Sequence, residues 1–183
     1  MLMRGGVSVF DEICKDDLIM SFFPCTRFET KHYLLMRCDG NPQYKYDNIK
    51  KLEYSMKIGQ EQQENYQLWC KMFHVVRSRG LRMIVENPAT KPTYLDSFFC
   101  ERPTLIDKNR RERGDWMKKP TAFWFVNIKP KNNLVFEPID YVPVRTNDRI
   151  SSNRAVIRSE IHPQYAKRFI REFILEKEVL YGN

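Results

Sequence analysis

The sequence predicts an α/β fold, and three observations carry that expectation. Two short apolar runs, LIMSFF at 18–23 and LRMIVENP at 81–88, flank a long segment of helical periodicity. A strand, a long helix and a second strand make one βαβ crossover, which implies a parallel pair. A second amphipathic segment, from His162 or Pro163 to about Val179, reads as a closing helix. The 183 residues suffice for one domain, 1–183, with a sizeable core.

Each element follows from local pattern. LIMSFF is short and apolar throughout, as parallel strands covered on both faces are, and Pro24 ends it. Residues 37–46 are a loop by their Gly, Pro and Asn content. A helix is expected from about Asp47, a suitable N-cap, to Arg79. Leu68, Met72 and Val75, with Trp69, Phe73 and Val76 one residue on, form a wide apolar stripe. Gly59 is a candidate break within it, and Gly80 suits its C-cap. YLDSFFC, 94–100, fits a short helix. TAFWFVNI, 121–128, and LVFEPI, 134–139, are expected to form a hairpin across KPKNN, with the aromatic run 123–125 in the core. Residues 145–154 read as a polar loop. In the closing helix, Tyr165, Phe169, Ile170, Phe173 and Ile174 share one face, and proline suits its first turn.

Composition narrows the function classes. At 42% hydrophobic and 30% charged residues the chain folds rather than staying disordered. A net charge of +8 favours an acidic partner, nucleic acid or a nucleoprotein, and excludes a mimic of DNA. The five cysteines, at 14, 25, 38, 70 and 100, form no CxxC pair, and the three histidines are scattered. Neither a disulfide framework nor a metal site is expected, and a reducing, cytoplasmic setting fits best. No run approaches the roughly 20 apolar residues that span a bilayer, and the N-terminus lacks a signal-peptide core, so no membrane partner is expected.

The crossover has a chemical consequence. In open α/β sheets the working groups sit beyond the C-terminal strand ends. Cys25 follows one such end and Glu86 the other, so the two are expected at one sheet edge. A thiolate adds to an electron-poor carbon while a carboxylic acid protonates a ring nitrogen. Taken singly, Cys25 also reads as a small buried hydrophobe, and Glu86 as a cap. The segment KNRRERGDWMKK, 108–119, carries six Lys or Arg against two acids. Its arginines and Trp116 suit phosphate or nucleoprotein contact, where the bland reading is a solvated loop.

From about residue 13 to 175 the chain resembles the C-terminal part of phage-type DNA cytosine-5 methyltransferases. FFPCTRFE looks like their Pro-Cys motif, IVENP like their Glu-Asn motif, and GDWMKKPTAFWFVN like their Lys-Pro-Thr segment. SEIHPQYAKRFIREFI resembles their closing helix. The resemblance implies a truncated Rossmann-like methyltransferase sheet. It implies that Cys25 attacks C6 of a flipped cytosine, that Glu86 holds and protonates the Watson–Crick edge, and that Asn87 fixes the loop. It places Arg27, Lys108, Arg110, Arg111, Arg113, Trp116, Lys118 and Lys119 toward nucleic acid or another partner. The sequence also departs from the pattern. Phe23 replaces the first proline of the motif, and Glu29 stands where serine is usual, adding a charge that raises a thiol pKa. None of the seven glycines forms the Gly-x-Gly turn that holds S-adenosylmethionine, and Gly5 and Gly6 follow no expected strand. The catalytic positions are therefore read as vestigial or conditional, and no cofactor is expected.

The function expected is that of a non-catalytic, methyltransferase-derived binding protein of a phage or mobile element. It would act on nucleic acid or on a host nuclease–nucleic acid complex, as in counter-defence against a restriction or RNA-guided CRISPR nuclease. Two alternatives stay open. One is a subunit of a split cytosine-5 methyltransferase whose partner chain brings the cofactor. The other is a DNA-binding scaffold, with a homodimer covering an uncovered sheet edge.

Overall fold

In a computed structural model, the structure describes residues 3–4, 7–25, 27–28, 48–89, 93–136, 138–139 and 160–176. Strands β1 (Met3–Arg4) and β2 (Val7–Ser8) pair antiparallel in a small sheet of their own. A strand thus does precede Gly5 and Gly6, but it lies outside the main sheet. A 3-10 turn at Val9–Asp11 follows.

The main sheet is open, mixed and four-stranded. Strand β3 (Leu18–Phe22) runs into helix α1 (Asn48–Arg79) by way of residues outside the description, and α1 returns the chain to β4 (Arg82–Pro88). β3 and β4 are parallel, with Leu18 opposite Arg82 and Phe22 opposite Glu86. This is the expected crossover. Helix α2 (Tyr94–Phe98), strand β5 (Leu105–Asp107), a 3-10 turn at Arg110–Arg113, strand β6 (Thr121–Val126) and helix α3 (Pro163–Phe173) follow. The strand order is β3-β4-β6-β5.

The order decides which strands are buried. β6 is buried along its length, and β4 at all but Arg82, because both are central. β3 is an edge strand, so its expected cover on both faces is absent: Met20 is 38% and Phe22 57% exposed. Alternation along β6 sends Ala122, Trp124 and Val126 into the core with Met83, Val85 and the α1 residues Trp69, Phe73 and Val76. Ile84, Phe123 and Phe125 are buried on the opposite face, so the aromatic run is core as expected.

α1 is one uninterrupted helix of 32 residues and passes through Gly59 without a break. Its buried stripe is narrower than expected. Trp69, Phe73 and Val76 are buried, whereas Leu68 is 40% exposed. Gly80 ends the helix at φ +67°, where the amides of Gly80 and Leu81 donate to the carbonyls of Arg77 and Val76. Asn127, itself at φ 55°, adds a second cap: its side-chain amide donates to the carbonyls of Val76 and Leu81 at 3.0 and 2.8 Å.

The expected hairpin is not formed. β6 pairs within the main sheet, and the described residues of 134–139 form no strand. The backbone amides of Lys131 and Asn133 donate instead to the carbonyls of Phe173 and Glu172, at 3.0 and 2.7 Å. The Asn133 side chain donates to the carbonyls of Arg171 and Leu175. The orphan carbonyls at the C-terminus of α3 take the donors that a ladder would have used. Leu134 and Phe136 stay 77% and 87% exposed.

The chain divides into two compact units. The first comprises Met1–Ile106 and Ala122–Ile128, the second Asp107–Thr121 and Lys129–Asn183. Asp47, the loops at 37–46 and 145–154, Cys38, Glu29 and the end of the closing helix beyond 176 lie outside the described residues. Among the described residues no helix is long and apolar enough to cross a membrane.

Candidate functional site

The candidate residues fall into two groups, one in each unit. In the first unit the register sets Glu86 opposite Phe22, the last residue of β3, and Cys25 comes three residues later. Glu86 and Asn87 lie inside β4 rather than past its end, and both are buried. The Asn87 side-chain amide nitrogen finds no hydrogen-bond partner among the described residues.

Cys25 is half-buried and begins a tight turn, since the amide of Phe28 donates to the Cys25 carbonyl at 2.8 Å. Three contacts hold that turn. Phe28 is buried in an aromatic group, stacked on Phe23 and on Tyr94 with both centroid distances 5.9 Å, and edge-on to Trp69. The Tyr94 amide donates to the Phe28 carbonyl at 3.1 Å, tying the start of α2 to the cysteine turn. Arg27 is ion-paired with Glu61 of α1, and its carbonyl accepts from Gln62 at 2.8 Å. Arg27 thus acts as a staple between the turn and α1.

α2 is held in turn by its own cap. Thr93 and Asp96 form a reciprocal capping box. The Tyr66 hydroxyl donates to the Phe98 carbonyl at 2.7 Å. Burial, reinforced by Cys70, pushes the Tyr66 pKa up to about 12, which keeps this donor protonated. The sheet end that follows β3 and the one that follows β4 are therefore braced against each other through Phe28 and Tyr94.

In the second unit the basic segment separates into scaffold and surface. Arg110 is 1% exposed, ion-paired with the equally buried Asp115, and lies 4.4 Å over the Tyr165 ring. That corrects the expectation of Arg110 as a surface phosphate contact: its charge is neutralised inside the unit. Arg113 makes two 3.0 Å bonds to Glu172 and approaches Asp107 at 3.2 Å. Glu172, aided by Asp107, holds the Arg113 pKa above its ordinary value. Asp107 also accepts from the Tyr165 hydroxyl at 3.1 Å. Burial, with the Asp107 charge beside it, pushes the Tyr165 pKa far above the usual phenol range.

The turn after Arg113 is specific to glycine. Gly114 sits at φ +89°, and a Cβ there would lie 2.7 Å from Gln164 Oε1. Trp116 is half-buried rather than exposed, edge-on to His162 at 5.1 Å. Lys108 and Lys118 are exposed, and Arg111 and Lys119 half-buried. Of the scaffold residues, Tyr165 is legible only as part of the apolar face of the closing helix and Asp115 only as an acid within the basic run, while Asp107 and Glu172 carry no sequence signal. Among the described residues no group of three or more His, Cys, Asp or Glu side chains could hold a metal ion.

Fold and site together define an α/β protein with a parallel crossover, a cysteine shortly after the end of β3 and a buried carboxyl within β4. Comparison with protein-family models, curated proteins and solved structures finds no match for the chain.

Proposed function

We propose that this chain is a methyltransferase-like binding protein whose second unit contacts nucleic acid, free or within a nuclease complex. The observation that carries this reading is the division of labour in the basic segment. Buried or half-buried carboxylates hold Arg110 and Arg113, while Lys108, Arg111 and Lys118 face outward or sit half-exposed. Among the described residues no carboxylate is ion-paired with Lys108, Arg111 or Lys118, and accessible cations of this kind are what phosphate binding requires. The sequence contains no Gly-x-Gly turn, which supports binding over methyl transfer. Inhibition of a host restriction or RNA-guided nuclease is the setting this reading fits.

Binding to a labelled oligonucleotide, followed by fluorescence anisotropy, tests it. Three phosphate contacts imply a fall of roughly 40-fold in affinity between 50 and 200 mM salt. Charge reversal of Lys108, Arg111 and Lys118 to Glu should flatten that slope. Salt-insensitive binding, or a triple variant that binds as before, sinks the proposal.

The placement of Cys25 three residues after Phe22, the residue opposite Glu86, favours a second reading, one subunit of a split cytosine-5 methyltransferase. On that reading Cys25 is the nucleophile and a partner chain brings the methyl donor. Methylation by a cell extract containing both chains should then vanish with Cys25→Ser, whereas unchanged methylation removes Cys25 from the chemistry.

A further inference from the structure

The two edges of the main sheet differ. β5 is three residues long and runs directly into Lys108, so it is blunted by shortness and charge. β3 has neither protection. Its five residues, LIMSF, contain no charge and no proline. It pairs with β4 on one side, and among the described residues no strand lies on the other. Met20 and Phe22, on one face of it, are 38% and 57% exposed. An apolar edge with no described strand beside it offers backbone groups and an apolar face to another strand.

Charge limits the occupant. The residues preceding β3 carry Glu12, Asp16 and Asp17 against Lys15, with Asp11 ion-paired to Arg79, so this region has no excess of positive charge to attract a phosphate backbone. It fits a neutral, apolar strand. β3 is such a strand, and it is complementary to itself. Paired antiparallel about a two-fold axis at Met20, Leu18 of one copy faces Phe22 of the other, Ile19 faces Ser21, and Met20 faces Met20. Apolar residues meet apolar residues on the exposed face, and the flanking Asp16 and Asp17 meet Pro24 and Phe23. No like charges are opposed. A two-fold interface needs a patch of this kind, the same on both copies.

We propose that the β3 edge is a self-association surface, on which two copies join antiparallel, β3 to β3, into one eight-stranded sheet. β3 belongs to the first unit and the basic segment to the second, so the proposal goes beyond the nucleic-acid reading and stands or falls independently of it. Sedimentation equilibrium of the full chain over a range of concentrations should give twice the monomer mass at the upper end. Met20→Lys places two ammonium groups at the axis and should leave a monomer at every concentration. Because Met20 is exposed, its unfolding midpoint should match that of the wild type at concentrations where the wild type is monomeric.

A second variant traps the register. Opposite residues in an antiparallel pair have Cα atoms about 4.5–5.5 Å apart, within disulfide range. Met20→Cys should therefore cross-link two copies at position 20 on mild oxidation, located by peptide mass spectrometry. A wild type that stays monomeric, a dimer untouched by Met20→Lys, or cross-links only through the exposed Cys14 and Cys100 would overturn the proposal.

Discussion

Trp69→Ala is expected to lower the stability of the first unit by about 3–5 kcal/mol, read as a fall in the urea midpoint at unchanged slope. Trp69 is 0% exposed. Its ring meets Phe23, Phe73, Phe99 and Trp124 at centroid distances of 5.2, 5.0, 5.6 and 5.2 Å, with Phe28 at 6.1 Å. Removing it opens a cavity that α1, β6 and the turn after β3 all line, and these elements are too well braced to collapse into it. A loss of that size is a large part of the roughly 5–15 kcal/mol that holds a domain together. Trp69→Phe should cost much less. The indole N–H finds no acceptor among the described residues, so losing it removes an unsatisfied buried donor along with some contact area. The effect should reach the candidate site. Phe28 rests on Trp69 and closes the Cys25 turn, so alkylation of Cys25, followed peptide by peptide, should quicken in Trp69→Ala. A variant with an unchanged midpoint would show that the aromatic group is not the core of this unit.

Helix α1, the strands beside it and their parallel pairing are legible in the sequence because each is long or periodic enough to declare itself. From that pairing alone Cys25 and Glu86 are placed at one end of the sheet. The place of a strand within a sheet is not written in its own residues. LIMSFF is apolar throughout and reads as buried, yet the strand order puts it at an edge and exposes Phe22. Leu105–Asp107 is too short to show alternation, so β5 goes unseen. LVFEPI has strand composition, but its neighbourhood supplies donors to the end of α3 and leaves Leu134 and Phe136 in solvent. The same limit governs the basic segment. Which arginine is scaffold depends on Glu172 and Tyr165, more than fifty residues away along the chain, and composition carries no trace of that.

Arg110→Met should destabilise the second unit by about 3–5 kcal/mol, because it leaves the Asp115 carboxylate buried and uncompensated. The double variant Arg110→Met/Asp115→Leu removes both charges and should recover most of that loss, since an apolar pair of similar volume carries no desolvation penalty. Arg110→Lys separates scaffold from phosphate contact. A surface cation that only neutralises phosphate tolerates the exchange. A guanidinium that stacks on Tyr165 while it pairs with Asp115 does not, because an ammonium lacks the planar fork. Arg110→Lys should therefore lower the unfolding midpoint. At temperatures where the unit stays folded, it should leave the salt slope of nucleic-acid binding unchanged. Charge reversal at Lys108, Arg111 and Lys118 should do the opposite, flattening the slope with the midpoint held. If Arg110→Met kept its midpoint and lost affinity instead, the buried ion pair would not be the scaffold of this unit, and Arg110 would belong with the binding residues.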